Sequence, residues 1–100
     1  MTTDAWFSDL QEQHRELLGE TSLLTDVPEL WRGLFAEWVR EIEKAGAIES
    51  GMRVGSLYEK YGSLRAELVG RSAGDPKWDA FEVSLEDRTE QVARQEKTDG

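Results

Sequence analysis

The sequence predicts an α+β fold with two N-terminal helices, a central β-hairpin over about residues 52–69 and a long C-terminal helix. Apolar residues recur at helical spacing before residue 46 and after residue 75. The stretch between these two regions contains several glycines. Each glycine in the interior of a helix would destabilise it by about 1 kcal/mol relative to alanine. That stretch also sorts apolar from polar side chains as a half-buried hairpin does. An all-α helical bundle is the alternative, because the same stretch also fits a helical spacing.

The first helix is predicted over roughly residues 4–18. Thr3 is suited to its N-cap, and Asp4 places a carboxylate in the first turn, where it complements the helix dipole. Gly19 ends the pattern. The residues at helical spacing are Trp6, Phe7, Leu10, His14, Leu17 and Leu18.

The second helix is predicted to start after Asp26 and to run to about Ala45. Asp26 as N-cap, Pro28 in the first turn and Glu29 three residues after the cap are consistent start signals. The apolar stripe is the strongest in the chain, so this helix is expected to be the central element of the core. The stripe consists of Leu30, Trp31, Leu34, Phe35, Trp38, Ile42 and Ala45.

The hairpin is predicted to turn through a three-residue loop, Lys60-Tyr61-Gly62, with Gly62 in the left-handed region next to a bulge. This register places Tyr58 opposite Leu64, Ser56 opposite Ala66 and Val54 opposite Leu68. The apolar face would carry Met52, Val54, Tyr58, Leu64, Ala66 and Leu68. The polar face would carry Arg53, Glu59, Arg65 and Glu67, with Leu57 and Val69 as exceptions.

The third helix is predicted over about residues 76–94, because Asp75-Pro76 repeats the start signal of the second. Residues 95–100 are expected to fray, and residues 1–100 to form one domain. Helices two and three should cover the hairpin, since a two-stranded ribbon is marginal alone. The outer strand edges would stay free, which leaves a homodimer through the hairpin edge open.

The chain is strongly acidic, with 21 Asp and Glu residues against 12 Lys and Arg residues and a formal charge of -9. This balance disfavours nonspecific duplex binding, which needs clustered cations, and favours a basic protein partner. The locally basic exception is the stretch 51–77, which has five basic and three acidic residues.

The sequence predicts no enzyme, no cofactor and no metal site. The chain has no cysteine, and its one histidine, His14, has no nucleophile motif around it. No glycine-rich phosphate loop is present. The N-terminus lacks the layout of a signal peptide, and no apolar run approaches the ~18 residues that span a bilayer. A cytoplasmic protein without membrane contact is therefore expected.

The segment Glu59-Lys60-Tyr61-Gly62-Ser63-Leu64-Arg65, preceded by a helix with Trp31 and Leu34, resembles a family of small uncharacterised bacterial and phage proteins. Their pattern is a short strand, Glu-Lys-Phe/Tyr-Gly-x-Leu-Arg, a second strand and an acidic helix. The similarity covers about residues 28–94 and implies a hairpin. Many relatives have aromatics after the Leu-Arg, where this chain has Ala66-Glu67. Many also end in a Cys-x-x-Cys segment that resembles a zinc knuckle. This chain has no cysteine, so any role of that segment does not carry over.

The candidate contact residues are Glu59, Lys60, Tyr61 and Arg65 at the hairpin tip, together with Arg53. In a structural interpretation, Glu59 and Arg65 form a surface ion pair beside the turn, worth about 0–1 kcal/mol. In a functional interpretation the tip touches a partner, because Tyr and Arg are enriched at interface hot spots. Both interpretations stay open on sequence grounds.

The predicted function is that of a small acidic protein-binding module, such as a phage-encoded inhibitor or toxin-immunity protein that occludes a basic partner. One alternative is nucleic-acid contact through the basic hairpin, with Arg53, Lys60, Arg65, Arg71 and Lys77 as the contacts. Another is a structural or assembly component of a phage particle.

Overall fold

The computed structural model describes residues 5–98 and confirms the α+β fold. Residues 52–70 form two strands, so the all-helical alternative is wrong. Thr3 and Asp4, the predicted start of the first helix, lie outside the described residues. The elements are α1 (Ala5–Gln13), α2 (Arg15–Leu18), β1 (Ser22–Leu23), α3 (Glu29–Lys44), β2 (Met52–Lys60), β3 (Ser63–Gly70) and α4 (Pro76–Thr98).

The predicted first helix is interrupted at His14. The backbone of this residue has φ -125° and ψ 52°, outside the helical region, and α2 restarts at Arg15. The His14 carbonyl accepts the N–H groups of Leu17 and Leu18, and both leucines are buried. The break therefore redirects the chain while Leu17 and Leu18 remain in the core.

Helix α3 is the centre of the core, as predicted. Trp31, Phe35, Trp38, Val39 and Ile42 are all buried along one side of it. The start of the helix differs from the prediction, because Pro28 occupies the N-cap and no side chain bonds to the first turn.

Helix α4 packs against α3 through two tryptophan hydrogen bonds. The Trp31 indole N–H donates to the Thr89 carbonyl at 3.1 Å, and that of Trp38 donates to the Phe81 carbonyl at 2.8 Å. Buried indole N–H groups usually find such partners; that of Trp78, also buried, has none. The helix begins beside Asp75, whose carboxylate accepts the Lys77 N–H, and continues to Thr98, four residues past its predicted end. Fraying of residues 95–100 stays a prediction, and residues 99–100 lie outside the described part.

The sheet has three strands in the order β1-β2-β3. Strands β2 and β3 form the predicted antiparallel hairpin. Strand β1 is only two residues long and pairs parallel to β2, with Ser22 opposite Ser56 and Leu23 opposite Leu57. No sequence periodicity predicts a strand this short, because alternation needs at least four residues to be visible.

The predicted hairpin register is wrong at the tip and correct at the base. The loop has two residues, Tyr61 and Gly62, so Tyr58 lies opposite Arg65 and Leu57 opposite Ala66. The register shifts between Val54 and Ser56, which restores the predicted pairing of Val54 with Leu68. Because a one-residue shift exchanges the faces of a strand, Leu57 is buried and Tyr58 is only half-buried.

Side-chain hydrogen bonds occupy both outer edges of the hairpin. On β2, the Thr21 hydroxyl donates to the Val54 carbonyl at 2.6 Å, and the Thr25 hydroxyl accepts the Glu59 N–H at 2.8 Å. On β3, α4 supplies acceptors to the N–H groups of Leu64 and Leu68. The expectation of free edges is therefore wrong at these positions. A homodimer through the hairpin edge stays a prediction.

No helix among residues 5–98 combines the length and the apolar character that a membrane crossing requires.

Candidate functional site

The hairpin turn holds Tyr61 in a left-handed backbone conformation. Its φ is 55°, and Gly62 follows with φ 78°. Two central residues of positive φ are the signature of a type I′ turn, which matches the twist of the flanking strands and favours Asn-Gly. Tyr61 is the only non-glycine residue with positive φ in the described chain, and its side chain is 81% exposed.

Two cations lie over the exposed ring of Tyr61. The Lys60 ammonium is 5.2 Å from the ring centroid and the Arg65 guanidinium carbon is 5.7 Å from it. Such contacts contribute about 0.5–1 kcal/mol each at exposed sites. The ring and both cations therefore form one cluster at the tip of the molecule.

Arg65 is held from the side of α4. Its guanidinium lies 3.8 Å from a carboxylate oxygen of Glu86, and its Nε is buried with no hydrogen-bond partner. The predicted ion pair of Glu59 with Arg65 is not the one that forms, because the two-residue turn places Glu59 opposite Leu64 and on the other face of the sheet. Glu59 instead takes part in the edge contact to Thr25 through its backbone.

Four of the five predicted contact residues share one side of the sheet. Residues paired across the ladder point to the same face, and the Ser56 hydroxyl confirms this by donating to Glu67 at 3.4 Å. Except for the buried Ser63, which is opposite Lys60, the side chains on this side are exposed or half-buried. We call this surface the hairpin face; its members are Arg53, Tyr58, Lys60, Tyr61, Arg65 and Glu67.

A cleft opens beside Tyr61, between the turn and the last turns of α4. Its volume is about 250 Å³, and its lining includes Tyr61, Gly62 and Ala93. Glu90 and Arg94 complete the lining and form an ion pair with an N···O distance of 2.9 Å. The Tyr61 ring and Gly62 thus line the turn side of the cleft, and Ala93 lies beside the ion pair on the helix side. We call it the tip cleft.

The remaining predicted nucleic-acid contacts lie apart from the hairpin face. The Lys77 ammonium donates to the Ala45 carbonyl at 2.6 Å and lies 4.7 Å from the Trp78 ring centroid. The Arg71 guanidinium lies against Gly51, at the base of the hairpin. Only Arg53, Lys60 and Arg65 of the five therefore belong to one surface.

Carboxylates of α4 border the hairpin face. Glu82 accepts the Leu68 N–H at 2.8 Å, and its burial raises the pKa of its carboxyl group above the usual 4.5, against the effect of that hydrogen bond. The nearby charges of Asp79, Glu67 and Glu86 raise this pKa further, since like charges disfavour ionisation. The positive hairpin face is thus enclosed by negative charge along β3.

A second cleft, of about 310 Å³, surrounds the helix break and is lined in part by Glu12, Glu16 and Glu43. The His14 ring nitrogen Nδ1 lies 2.8 Å from Glu43, which joins the break to α3. No group of three or more potential metal ligands converges among residues 5–98.

Sequence reasoning missed Tyr58 and all the contributions of α4 to the site. Gly55 was the available signal for Tyr58, because an isolated glycine in a strand suggests a bulge. A Cβ there would lie 3.2 Å from a methyl group of Val69, so a larger residue would require the Val69 side chain to shift. Glu86, Glu90, Ala93 and Arg94 gave no signal, since their proximity to the turn depends on helix packing.

Comparisons of this chain with protein-family models, with curated proteins and with solved structures found no match. The resemblance to the small bacterial and phage proteins therefore stays a prediction.

Proposed function

We propose that this chain is a small acidic protein-binding module and that the hairpin face, centred on Tyr61, is its contact surface. The supporting observation is the conformation of Tyr61. A non-glycine residue in the left-handed region costs about 1–2 kcal/mol, and an 81% exposed ring recovers little of this by burial.

The fold itself does not require a tyrosine at this position. A type I′ turn is better served by asparagine or glycine. The contacts of the Tyr61 ring include the exposed Lys60, the half-buried Arg65 and the rim of the tip cleft. Local strain held at an exposed position is a reason to suspect function. Tyrosine and arginine are also the residue types enriched at interface hot spots. Recognition of another protein is the role that this arrangement supports best.

The net charge suggests the electrostatic class of the partner. A formal charge of -9 on 100 residues produces a long-range field that attracts basic proteins and accelerates their encounter. Residues 1–50 hold 11 acidic and 4 basic side chains and so carry most of the excess negative charge. We therefore propose that the partner is basic overall and that this chain acts by occluding it, as a phage inhibitor or immunity protein does.

Nucleic-acid contact is a second candidate function, favoured by three cations and two tyrosines on one face. Bases stack on aromatic rings and phosphates bind cations. However, the carboxylate of Glu67 on that surface and those of Glu86 and Glu90 at its border would repel a continuous polyanion. This candidate requires binding of an oligonucleotide that weakens steeply with salt.

Capture from a lysate of the native host tests the proposed function. The bait proteins are the wild type, Tyr61→Asn, and Arg40→Gln as a control on the exposed side of α3. Wild type and Arg40→Gln should retain the same stoichiometric protein at low salt, and Tyr61→Asn should lose it. Recovery of no stoichiometric protein by any bait, or equal recovery by all three, would contradict the proposal.

A further inference from the structure

The hairpin face has the opposite charge sign to the chain as a whole. It carries three cations, Arg53, Lys60 and Arg65, and one carboxylate, Glu67. The whole chain has a formal charge of -9. The energy of a contact depends mainly on charges within about a Debye length. The hairpin face can therefore bind a group of opposite charge to the one that the long-range field of the whole chain attracts.

We infer that the hairpin face binds an acidic segment of the partner protein and that one apolar side chain of that segment enters the tip cleft. This inference rests on the proposed function and names the chemistry that the contact surface recognises. The partner would then be basic where it meets the acidic first half of the chain, residues 1–50, and acidic where it meets the hairpin face. Complementarity of both signs fixes the orientation of a complex.

The cations of the hairpin face are available to carboxylates. Lys60 is exposed, and its ammonium contacts the face of the Tyr61 ring, which leaves its hydrogen-bond donors for a ligand. The separation of Arg65 from Glu86 is 3.8 Å, longer than the 2.7–2.9 Å of a strong charge-assisted hydrogen bond. A carboxylate of the segment can therefore approach either cation without first breaking a short ion pair.

The tip cleft has room for the apolar side chain of the segment, although Glu90 and Arg94 form part of its lining. Its volume of about 250 Å³ exceeds the volume of one large side chain, and Tyr61, Gly62 and Ala93 form its less polar wall. Burial of an apolar side chain there would favour binding in proportion to the apolar area removed from water. The cleft adjoins the cations through Tyr61, so one short segment can reach both.

The size and borders of the positive surface favour a peptide over a nucleic acid. Three cations match a few carboxylates, whereas a nucleic acid carries one charge per nucleotide and continues past the surface in both directions. Beyond the face it would meet Glu86 and Glu90, whose charges repel phosphate. A peptide can place neutral residues at those positions.

Titration of the ¹⁵N-labelled full chain by NMR tests the inference. The probes are a synthetic glutamate-rich peptide with a single phenylalanine, the same peptide with lysine in place of glutamate, and a short single-stranded oligothymidylate. The protein variants are Lys60→Gln, Arg65→Gln and the control Arg40→Gln. Each variant removes one positive charge, so only the position of the charge differs.

The acidic peptide should shift the amide signals of residues 60–65 and of Ala93, and added salt should weaken its binding. Lys60→Gln and Arg65→Gln should each raise the dissociation constant about three- to fivefold, as expected for exposed ion pairs, and Arg40→Gln should leave it unchanged. Preserved amide spectra away from residues 60–65 would show that the variants are folded.

Two outcomes would overturn the inference. The first is an acidic peptide that shifts no signals of the hairpin face, or that binds no better than the lysine peptide. The second is an oligothymidylate that shifts these signals at lower concentration than the acidic peptide, which would favour nucleic-acid contact. Failure here combined with Tyr61-dependent capture of a host protein would leave the proposed function intact. Absence of any captured protein would count against the function itself, even if the peptide binds.

Discussion

The side-chain oxygen of Thr89 accepts the backbone N–H of Leu64 at 2.9 Å, which joins the middle of α4 to the outer edge of β3. The same hydroxyl donates to a carbonyl of its own helix, 3.0 Å away at Leu85. Thr89 and Leu64 are both fully buried. Unpaired N–H groups on an edge strand invite association with other chains, so this contact both protects the strand and fixes the position of α4.

Replacement of Thr89 by valine should lower the free energy of unfolding by about 1–3 kcal/mol. Valine has nearly the same shape, so the loss reflects a buried Leu64 N–H without an acceptor. Urea denaturation measures the change. Thr89→Ser retains the hydroxyl and is the matched control, which should lose less. Equal stability of Thr89→Val and the wild type would show that the hydrogen bond contributes nothing.

Replacement of Glu82 by glutamine should raise stability at neutral pH. Burial raises the pKa of Glu82 in the folded protein. The stabilisation of the folded state that follows from this shift is complete below the unfolded pKa of 4.5, and it is lost as pH rises through the folded pKa. Glutamine keeps an acceptor for the Leu68 N–H and removes repulsion from Glu67 and Asp79. Thermal unfolding at several pH values should show an advantage of the variant near pH 7 that shrinks toward pH 4 and below. A variant less stable than the wild type at neutral pH would contradict this account.

Replacement of Glu41 by glutamine should have the opposite dependence on pH. A bidentate hydrogen bond from Arg88 lowers the pKa of Glu41. The resulting stabilisation of the folded state is present above the unfolded pKa of 4.5 and is lost as pH falls through the folded pKa. Both side chains are about a third or more exposed, and solvent screening limits the loss at neutral pH to about 1 kcal/mol or less. The same unfolding series measures it, and the two proteins should converge in acid. A difference that persists there would point to a cause other than ionisation.

Alanine at Gly70 should be far more destabilising than alanine at Gly62. Both glycines have positive φ, 140° and 78° respectively, so both substitutions strain the backbone. A Cβ at Gly70 would lie 2.1 Å from the Gly51 carbonyl oxygen, whereas nothing lies within 4 Å of one at Gly62. Gly62→Ala should cost about 1 kcal/mol, and Gly70→Ala at least about 2 kcal/mol more because backbone atoms must move. Denaturant midpoints compare them, and similar midpoints would contradict the predicted clash.

Replacement of Tyr61 by asparagine should change the free energy of unfolding little while it weakens partner binding. Asparagine followed by glycine is the preferred pair for the type I′ turn. Relief of backbone strain of about 1–2 kcal/mol offsets the loss of two cation–π contacts of about 0.5–1 kcal/mol each. Denaturation and partner capture are measured on the same protein preparation. A variant that is destabilised would show that the tyrosine ring and its two cations support the fold, and its loss of binding would then lack a separate explanation.

The helices could be predicted closely because their signals are local. The apolar stripe that includes Trp31, Phe35 and Trp38 predicted helix α3 and its buried side. Asp75 and Pro76 predicted the start of α4. The interruption at His14 could not be predicted, since the residues around it continue a helical spacing. Its position depends on packing of Leu17 and Leu18 and on a contact with Glu43, which is 29 positions away in the chain.

The hairpin could be predicted as a hairpin but not in its register. The sequence contains Gly62 at the turn and Gly55 in the strand, and two loop lengths are compatible with the first. A two-residue loop combined with a bulge near Gly55 buries Leu57 and leaves Tyr58 on the open side, whereas the three-residue loop does the reverse. Burial of Leu57 against the helices decides between them, and this energy exists only in the assembled protein.

The sequence by itself therefore determined the fold class, the main helices, the position of the turn and the acidic character, because propensity, periodicity and charge are properties of short segments. The tertiary structure decided which side chains share a surface. It brought Arg53, Lys60 and Arg65 to one face, moved Glu59 to the other, and placed Glu86 and Arg94 beside the turn. These juxtapositions depend on strand register and helix packing, which are set by contacts between residues distant in the chain.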